Sequence, residues 1–337
     1  MTHPPIRYDV CAVGNAIVDV LAPCEPEFLS ARGLQPGSMQ LVDETQSAAL
    51  YDDMAAGVEA SGGSAGNTVA GVGSYGGRAA YIGKVSGDTL GDVFAHDIRA
   101  AGVAFDTPRL SEGPSTGRCL INVTDDGQRT MCTFLGAANQ LTADDIDPEM
   151  IGESAIVYLE GYLFDPAPAR AAFERAADIA HRAGRKVAIT LSDTFVVSRW
   201  RAELLEFLEQ SADIVLANEA ELGALYETED FDAACDQLAG MVETAAVTRG
   251  PKGSVVISGD QRVAVDAFPV DKVVDTTGAG DQYAAGFLYG YANGYPLPIC
   301  GKLGSLAAAE VISHYGPRPQ TRLADLAEKA GLIGEPP

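Results

Sequence analysis

The sequence lacks the patterns that histidine and cysteine need to form a metal site or a disulfide framework. Its histidines are far apart and show no ligand spacing: His3, His96, His181 and His314. Its cysteines are scattered, several of them inside apolar runs, and no Cys-x-x-Cys occurs: Cys11, Cys24, Cys119, Cys132, Cys235 and Cys300. We therefore predict buried thiols in a reducing compartment and neither a histidine-based metal site nor a zinc site.

Positive charge is also scarce, because 23 lysine and arginine residues face 47 aspartate and glutamate residues and the net charge is −24. Non-specific nucleic-acid binding and binding to anionic membranes both require a positive surface, so the sequence argues against both kinds of partner. A small ligand, even an anionic one, is compatible with this charge if its site is locally neutral or positive.

Long apolar runs are missing as well. No run approaches 18 residues, and the N-terminal Met-Thr-His-Pro-Pro-Ile-Arg has no apolar signal region. Hydrophobic residues nevertheless make up 47% of the chain and charged residues 21%, which is the composition of a globular protein. We expect a soluble, cytoplasmic protein with a sizeable core, in about two domains or in one large α/β domain with an appendage.

A regular alternation of apolar and amphipathic segments predicts the main architecture. Predicted strands at 155–159, 186–191, 213–217 and 245–248 alternate with predicted helices at 167–183, 196–210, 219–226 and 231–241. This spacing is typical of βαβ units, which assemble into a doubly wound, mainly parallel sheet with helices on both faces. Because no repeat or linker-like break divides the chain, we expect a single α/β domain over residues 1–337.

A hairpin signal interrupts this alternation. Two strand-like runs, 117–124 and 129–135, flank Asp125-Asp-Gly-Gln, and Asp-Gly between such runs favours a tight turn. The pattern predicts a small second sheet that projects from the main body and that the irregular segment 15–43 joins.

The stretch Asp275-Thr-Thr-Gly-Ala-Gly-Asp281 has a composition that core packing does not explain, and a buried, small-residue helix is predicted directly after it. The first backbone N–H groups of a helix have no intrahelical partner, so those of Gly278, Ala279 and Gly280 can converge on an anion. Asp281 lies in the first turn, where a carboxylate can take a proton from a hydroxyl that attacks a phosphate. The alternative is an ordinary helix start capped by an aspartate.

Three further patches follow apolar strands or open helices. Asn15 and Asp19 interrupt apolar residues just after the first predicted strand, unless Asp19 simply faces solvent in an edge strand. The segment 62–67, Gly-Gly-Ser-Ala-Gly-Asn, either lets the backbone approach a ligand or forms a plain turn. Asn218 and Glu221 share one helical face and could hold the water shell of Mg²⁺, or could form a helix cap with an acidic first turn.

A glycine-containing turn, Thr248-Arg-Gly-Pro-Lys-Gly253, follows another predicted strand and could present its backbone and a hydroxyl group to a nucleotide, or could be a hairpin turn. In a doubly wound fold the carboxyl ends of the strands meet at one crevice, so the patches at 15–19, 62–67, 218–221 and 278–281 are expected to converge there.

These motifs resemble the signatures of the ribokinase/PfkB family of carbohydrate and nucleoside kinases. Asp-Thr-Thr-Gly-Ala-Gly-Asp-Gln at 275–282 is similar to the C-terminal signature, 62–67 to the N-terminal signature, and 218–221 to the family's Asn-x-x-Glu motif. The resemblance covers nearly the whole chain. It implies a central parallel sheet with a small β lid, here the insertions at about 15–43 and 115–136, and ATP-dependent phosphorylation of a hydroxymethyl group.

The resemblance also implies roles for individual residues. Asp281 would be the catalytic base, and the backbone of Gly278, Ala279 and Gly280 would form the anion hole. Asn218 and Glu221 would organise Mg²⁺ through water. The implied ATP-binding residues are Asn218, Thr248, Gly250, Gly253 and Gly280, while Asp275 and Thr277 correspond to positions that hold a monovalent cation such as K⁺ in many members.

Details within the family lean towards its adenosine kinase branch. Gly14-Asn-Ala-Ile-Val-Asp19 resembles that branch's Gly-Asn-x-x-x-Asp, whose aspartate holds the ribose hydroxyls, and Tyr162 falls where the branch has an aromatic residue against the base. Leu163, Gly66 and Gln282 differ from the commoner residues at their positions. The substrate-binding residues implied are Asn15, Asp19, Gly62, Gly63, Asn67, Arg129 and Tyr162.

The leading hypothesis is therefore a kinase that transfers the γ-phosphate of ATP to the 5′-hydroxyl of a purine nucleoside, adenosine first. A sugar kinase of the same family, acting on fructose, ribose or a related acid sugar, is the alternative, and a non-catalytic nucleoside or nucleotide sensor is a third hypothesis. An NAD-dependent enzyme has less support, because no Gly-x-Gly-x-x-Gly follows the first predicted strand. Both a monomer and a homodimer are compatible with the sequence.

Overall fold

The computed structural model describes residues 4–125 and 128–334. Its strands are β1 (Tyr8–Val13), β2 (Ile17–Pro23), β3 (Met39–Leu41), β4 (Val58–Ser61), β5 (Ala79–Ile82), β6 (Val103–Ala104), β7 (Thr116–Val123), β8 (Arg129–Gly136), β9 (Ser154–Glu160), β10 (Lys186–Thr190), β11 (Ile214–Asn218), β12 (Thr244–Thr248), β13 (Ser254–Ser258) and β14 (Gln261–Val265).

Its helices are α1 (Pro26–Ala31), α2 (Glu44–Asp53), α3 (Ser64–Ser74), α4 (Thr89–Ala100), α5 (Pro148–Gly152), α6 (Ala167–Arg182), α7 (Thr194–Arg199), α8 (Arg201–Ser211), α9 (Glu219–Tyr226), α10 (Phe231–Ala239), α11 (Ala279–Ala292), α12 (Leu297–Val311) and α13 (Leu323–Lys329). Short 3₁₀ turns occur at Ala137–Gln140, Ala143–Asp145, Gly161–Phe164 and Gly250–Lys252. No helix in the ranges described is both long and apolar enough to cross a membrane.

A nine-stranded sheet forms the body, in the order β14-β13-β12-β11-β10-β9-β1-β5-β6. The seven strands from β12 to β6 are parallel, and β13 pairs with both neighbours in an antiparallel manner. Both faces are apolar: along β1, Val10 and Ala12 pack into one core and Cys11 and Val13 into the other. Helices cover both faces, which confirms the predicted doubly wound α/β fold.

The strand order places a switch point next to β1. From β1 the chain passes to β5 on one side, and it later returns to β9 on the other side. Because the two crossovers leave β1 in opposite directions, a crevice opens at the carboxyl ends of β1 and β9. This crevice lies at the edge of the sheet where the sequence predicted that the polar patches converge.

A five-stranded sheet, in the order β3-β8-β7-β2-β4, lies over that edge. The predicted hairpin is confirmed, since β7 and β8 pair in an antiparallel manner from Thr116↔Gly136 to Val123↔Arg129. The turn residues 126 and 127 lie outside the described residues. One face of this sheet, with Val18, Val20 and Leu120, packs into the core, so the other face is turned to the crevice.

Two predicted helices were wrong in their extent. The residue pattern of 44–57 predicts one continuous helix, whereas α2 ends at Asp53 and β4 follows as an edge strand beside β2. The sequence also predicted one helix over Val196–Gln210, whereas the backbone breaks at Trp200 between α7 and α8. The Trp200 ring is held outside the helical pattern by Asp165, which accepts its N–H at 2.9 Å, and by the guanidinium of Arg170 above it.

The cysteines form no disulfide: all six are free thiols, and five of them are buried while Cys24 is half-buried. Burial raises the pKa of the Cys11 thiol to about 12, which makes this thiol unreactive. The prediction of buried thiols is therefore confirmed for five of the six.

Candidate active site

A cavity of about 1060 Å³ fills the crevice between the two sheets. Of the predicted site residues, its wall includes Asn15, Asp19, Gly63, Asn67, Tyr162, Asn218, Glu221, Thr248, Thr277, Gly278, Ala279, Gly280 and Asp281. Five predicted residues are not part of that wall: Gly62, Arg129, Gly250, Gly253 and Asp275. The structure thus brings all four predicted patches to one cavity.

The start of α11 is open towards this cavity. Gly278 has φ 78°, and a Cβ there would come within 2.6 Å of the Pro317 backbone, so only glycine fits. In the described part of the chain, the N–H groups of Gly280 and Asp281 have no hydrogen-bond acceptor, whereas the Ala279 N–H donates to the Thr276 carbonyl at 3.2 Å. Gly280 has no neighbouring atom within 4 Å of a built Cβ, so an anion can approach the free N–H groups.

Asp281 is held against this helix start by groups from α3. Ser64 Oγ donates to one carboxylate oxygen at 2.6 Å, and Asn67 Nδ2 donates to the other at 3.1 Å. Burial raises the pKa of Asp281, while these two donors oppose the shift. The arrangement is that of an oriented carboxylate with a proton affinity above the ordinary, as a general base requires. The capping alternative is wrong, because the N-cap residue of α11 is Gly278 and no side chain of the described residues caps this helix.

Asp19 lies on β2 and is buried beside the Gly62–Gly63 turn. A Cβ on Gly62 would come within 2.4 Å of the Asp19 carboxyl group, so the absence of a side chain at position 62 makes room for this carboxylate. Burial raises the pKa of Asp19 to about 7, against the opposing charges of Arg318 and Arg129. Across residues 4–125 and 128–334 no group donates a hydrogen bond to it. Asp19 therefore faces the cavity as an unused acceptor, and the solvent-facing alternative is wrong.

Asn15 presents a second acceptor, because Glu160 fixes its amide. Asn15 Nδ2 donates to Glu160 Oε1 at 2.7 Å, so the nitrogen of the Asn15 amide is the atom next to Glu160. The amide oxygen Oδ1 is left buried without a partner. Glu160 Oε2 accepts the N–H groups of Ala65 at 2.9 Å and Asn15 at 3.3 Å. Burial raises the pKa of Glu160 to about 7 in spite of these donors.

Asn218 and Glu221 form a complete capping box at the start of α9. Asn218 Oδ1 accepts the Glu221 N–H at 2.8 Å, while Glu221 accepts the Asn218 side-chain and backbone N–H groups at 2.6 and 3.0 Å. The capping alternative is therefore confirmed, but both side chains also line the cavity. Burial raises the pKa of Glu221 to about 7. The remaining oxygen lone pairs fit a hydrated Mg²⁺ held through water, and the described residues include no cluster of three or more carboxylate, histidine or cysteine ligands.

Asp275, Thr277 and Arg129 meet just outside the cavity wall. Asp275 accepts hydrogen bonds from the Thr277 N–H and hydroxyl at 3.1 and 2.8 Å and from the Gly316 N–H at 3.1 Å. Arg129, on β8, forms a buried ion pair with the same carboxylate at 2.5 Å. The structure thus places Arg129 on Asp275 as a counter-ion that links the small sheet to the segment before α11. The substrate role of Arg129 and the cation role of Asp275 and Thr277 remain predictions.

The turn after β12 lies beside the cavity. Thr248 lines the wall, and its hydroxyl donates to the Ala217 carbonyl at 3.4 Å. Gly250 and Gly253, with φ 56° and 82°, bracket the 3₁₀ turn that leads into the antiparallel strand β13. The turn is therefore a connection between β12 and β13, and its nucleotide role remains a prediction.

The far wall of the cavity is apolar. Tyr162 contributes one side, whereas its neighbour Leu163 is fully buried in the core. From the small sheet come the exposed side chains of Met39 and Leu41, and α7 contributes the exposed ring of Phe195. Ile121, Met131 and Leu135 continue this surface inwards. An apolar wall of this extent fits a flat heterocyclic ring better than it fits a polyol.

Sequence reasoning missed three residues of this site. Ser64 stands within the glycine-rich motif, and Glu160 is a charged residue directly after a buried strand, so both had a local signal. Arg318, whose Nε donates to Asn67 Oδ1 at 3.3 Å, had none. It lies in an irregular segment after α12, 251 residues from its partner.

An open helix start for an anion, a carboxylate oriented beside it and unused acceptors opposite define a phosphotransferase with a hydroxyl acceptor. Residues 38–322 match the family described as pfkB family carbohydrate kinase. The chain belongs to this family, which confirms the predicted family and enzyme class. Membership implies ATP as phosphoryl donor, typically with Mg²⁺.

Two relatives with solved structures cover almost the whole chain, and a third relative matches most of it by sequence. Adenosine kinase from Sinorhizobium meliloti is 52% identical, with a TM-score of 0.89 over 96% of this chain and 99% of that one. A probable sugar kinase from Rhizobium etli is 47% identical, with a TM-score of 0.91 over 97% of this chain and 100% of that one. An uncharacterized sugar kinase from Archaeoglobus fulgidus is 33% identical over 71% of this chain and 93% of its own length.

Proposed function

We propose that this kinase transfers the γ-phosphate of ATP to the 5′-hydroxyl of a purine nucleoside, with adenosine as the preferred acceptor. The observation that carries the proposal is the composition of this cavity. It joins the α11 helix start and Asp281 to two acceptor-only groups, Asp19 and the Asn15 carbonyl oxygen, and to an apolar wall. The 52% identity to an adenosine kinase supports the same acceptor.

The two acceptor groups suit the sugar of a nucleoside. Vicinal ribose hydroxyls can each donate a hydrogen bond, one to the Asp19 carboxylate and one to Asn15 Oδ1, and such bonds to charged or buried partners are strong. Held by these two groups, the sugar would direct its 5′-hydroxyl towards Asp281. This orientation supplies the proximity that an in-line transfer needs.

The apolar wall favours a nucleoside over a free sugar. Met39 is 49% exposed, Leu41 60% and Phe195 64%, and all three line the cavity. A purine ring placed between them would remove their surfaces from water, whereas a free sugar would leave these surfaces wet. The sugar kinase alternative rests on the relatives named as sugar kinases and has no matching feature in this wall.

In the proposed mechanism, Asp281 takes the proton of the attacking hydroxyl as the new O–P bond forms, while the bond between the γ-phosphorus and the bridging oxygen breaks and ADP leaves. Ser64 and Asn67 hold its carboxylate in place, and the free N–H groups of Gly280 and Asp281 stabilise charge on the transferring group. Bound Mg²⁺ would supply further charge neutralisation at the phosphates, with Asn218 and Glu221 holding its water shell. Because the thiols are free, we also propose that the enzyme works in the reducing cytoplasm.

A side-by-side phosphorylation screen tests the acceptor. Purified protein is given ATP and Mg²⁺ with adenosine, other nucleosides, ribose or fructose, and ADP release is measured. We expect kcat/KM for adenosine to exceed that for either free sugar by about 100-fold or more, because a free sugar leaves the apolar wall unfilled. A preference for a free sugar would refute the proposal, and nucleoside binding without ATP consumption would favour the sensor.

Replacing the base tests the mechanism. Asp281→Asn keeps the size of the side chain but removes the proton acceptor, so turnover should fall by about 10²–10⁴-fold while acceptor binding changes little. Asp271→Asn is the control, because Asp271 is exposed on the segment that leads to the same helix. Turnover of Asp281→Asn close to the wild-type value would contradict the assignment.

A further inference from the structure

Arg318 is a largely buried cation held by residues of α3 and α4. Its Nε donates to Asn67 Oδ1 at 3.3 Å and its Nη1 forms an ion pair with Asp97 at 3.0 Å. Its Nη2 is buried and has no hydrogen-bond partner. Burying a guanidinium in this way is costly unless the charge is used, so the site calls for a function.

Arg318 is anchored from two directions. Asp97 also accepts the N–H and hydroxyl of Ser61, at 2.8 and 2.5 Å, where β4 enters the glycine turn. On the other side, the preceding Pro317 packs against Gly278, and its carbonyl accepts the Gln282 side-chain amide at 3.0 Å. The guanidinium is therefore fixed relative to both the acceptor turn and the start of α11.

The first consequence concerns the orientation of the Asn67 amide. A guanidinium can only donate hydrogen bonds, so Arg318 must face Asn67 Oδ1. The Asn67 Nδ2 group is then left on the side of Asp281, where it donates to the carboxylate at 3.1 Å. Without Arg318 the amide could turn over and place its oxygen against the carboxylate.

The second consequence concerns charge. Arg318 lowers the pKa of Asp19 and that of Asp281, opposing the burial that raises both. The ionisable groups that face Asp281 from the packed elements are Asp19 on β2, Tyr158 and Glu160 on β9, Tyr162 after β9, and Arg318 itself. Among these groups Arg318 is the cation, so it favours ionised carboxylates on both sides of the reacting atoms.

We propose that Arg318 is a positioning residue for phosphoryl transfer, which sets the amide of Asn67 and places a positive charge near Asp19 and Asp281. The inference rests on the proposed role of Asp281 as the base and does not depend on which acceptor is used. Arg318 touches neither reacting atom; it acts through Asn67 and through its charge.

The test compares R318M and R318K with the wild type, and uses R322M as the matched control. Arg322 lies four residues further on and forms an exposed ion pair with Asp325 at 3.2 Å, so its loss should leave kinetics unchanged. Rates are measured from about pH 5.5 to about pH 9 with each substrate varied in turn. Circular dichroism and thermal unfolding report whether each variant is folded.

For R318M we expect the acid limb of kcat/KM for the acceptor to move up by about one pH unit or more, because a nearby opposite charge has been removed. The KM for the acceptor should rise while that for ATP stays at the wild-type value. R318K keeps the charge, so its pH profile should stay near that of the wild type, but its kcat should fall because a single ammonium group cannot hold Asn67 and Asp97 at the same time as the forked guanidinium does.

An R318M protein whose acid limb and acceptor KM match the wild type would overturn the inference. If R318M does not fold, the kcat of R318K is the test. A wild-type kcat in R318K would overturn the role of Arg318 in fixing Asn67. A fully active Asp281→Asn protein would instead overturn the proposed function, so the two failures can be told apart.

Discussion

Glu160→Gln should reverse the polarity of a group that faces the substrate while preserving its shape. The backbone N–H groups of Ala65 and Asn15 point at Oε2, at 2.9 and 3.3 Å, and need an acceptor there. The oxygen of the new amide will take that position, which leaves its NH₂ group where Oε1 now accepts Asn15 Nδ2 at 2.7 Å. Two NH₂ groups cannot face each other, so the Asn15 amide should turn over and present a donor to the cavity.

The cost follows from the lost acceptor. A substrate hydroxyl that meets a buried group of the wrong polarity loses about 1–3 kcal/mol, which corresponds to about 5- to 150-fold in kcat/KM for the acceptor. The KM for ATP should not change, because Asn15 and Glu160 lie at the acceptor end of the cavity. Stability at about pH 8 should not fall, since the number of hydrogen bonds is the same and the neutral amide removes the cost of burying an ionised carboxylate.

The assay is steady-state kinetics at about pH 8, where the raised pKa of Glu160, about 7, leaves the wild-type carboxyl ionised. Glu209→Gln, on the exposed face of α8, is the control for a loss of charge. Adding Asn15→Asp to Glu160→Gln should restore much of the binding, because one carboxylate oxygen can accept from the new amide while the other faces the cavity. Asn15→Asp alone should bind the acceptor more weakly than the double variant does, since it sets two carboxylates against each other.

Two results would refute this reasoning. One is a Glu160→Gln protein with the acceptor KM of the wild type, which would mean that the Asn15 oxygen does not contact substrate. The other is a double variant that binds the acceptor no better than Glu160→Gln alone, since the polarity of the amide would then not be the cause.

Two further predictions concern the same wall. Gly62→Ala places a Cβ within 2.4 Å of the Asp19 carboxyl group. The acceptor KM should therefore rise by about tenfold or more, because a charged hydrogen bond to the substrate is lost. Gly240→Ala is the control and should leave the acceptor KM unchanged, since Gly240 has an unstrained φ of −77°. A normal acceptor KM in Gly62→Ala would contradict this role. Burial raises the pKa values of Asp19, Glu160 and Glu221 to about 7, above their unfolded values, so the folded state binds more protons and the stability of the ligand-free protein should fall as pH rises. Urea unfolding should show a loss of about 3 kcal/mol or more between about pH 5 and about pH 7, and a gain over this range would contradict it.

The sequence was sufficient for the large sheet because the signals of its strands are local. Each parallel strand is an apolar run buried on both faces, and in each crossover helix the apolar residues recur with the helical period. The alternation of these two patterns therefore predicts the order of elements. The same reasoning was wrong at β4, where Val58–Ser61 carries no strong strand pattern and becomes a strand by pairing with β2. It was also wrong at Trp200, where contacts with Asp165 and Arg170 break a helix that looked continuous.

The candidate site divides in the same way. Asp19, Asn67, Asn218 and Asp281 were predicted because each stands in a short motif at the end of a strand or the start of a helix. The groups that orient them, Glu160 for Asn15 and Arg318 for Asn67, lie 145 and 251 residues away along the chain. No local sequence pattern predicts contacts between residues so far apart in the chain.

The sequence by itself therefore determined the fold class, the family and the edge of the sheet where the candidate site lies, since these depend on the spacing of apolar residues and on turn motifs within a few residues. Only the tertiary structure decided that Arg129 pairs with Asp275, that Glu160 fixes the Asn15 amide and leaves its oxygen without a partner, and that Arg318 donates to Asn67. These features depend on which side chains meet when distant segments pack, and packing is fixed by the whole core and not by any one segment.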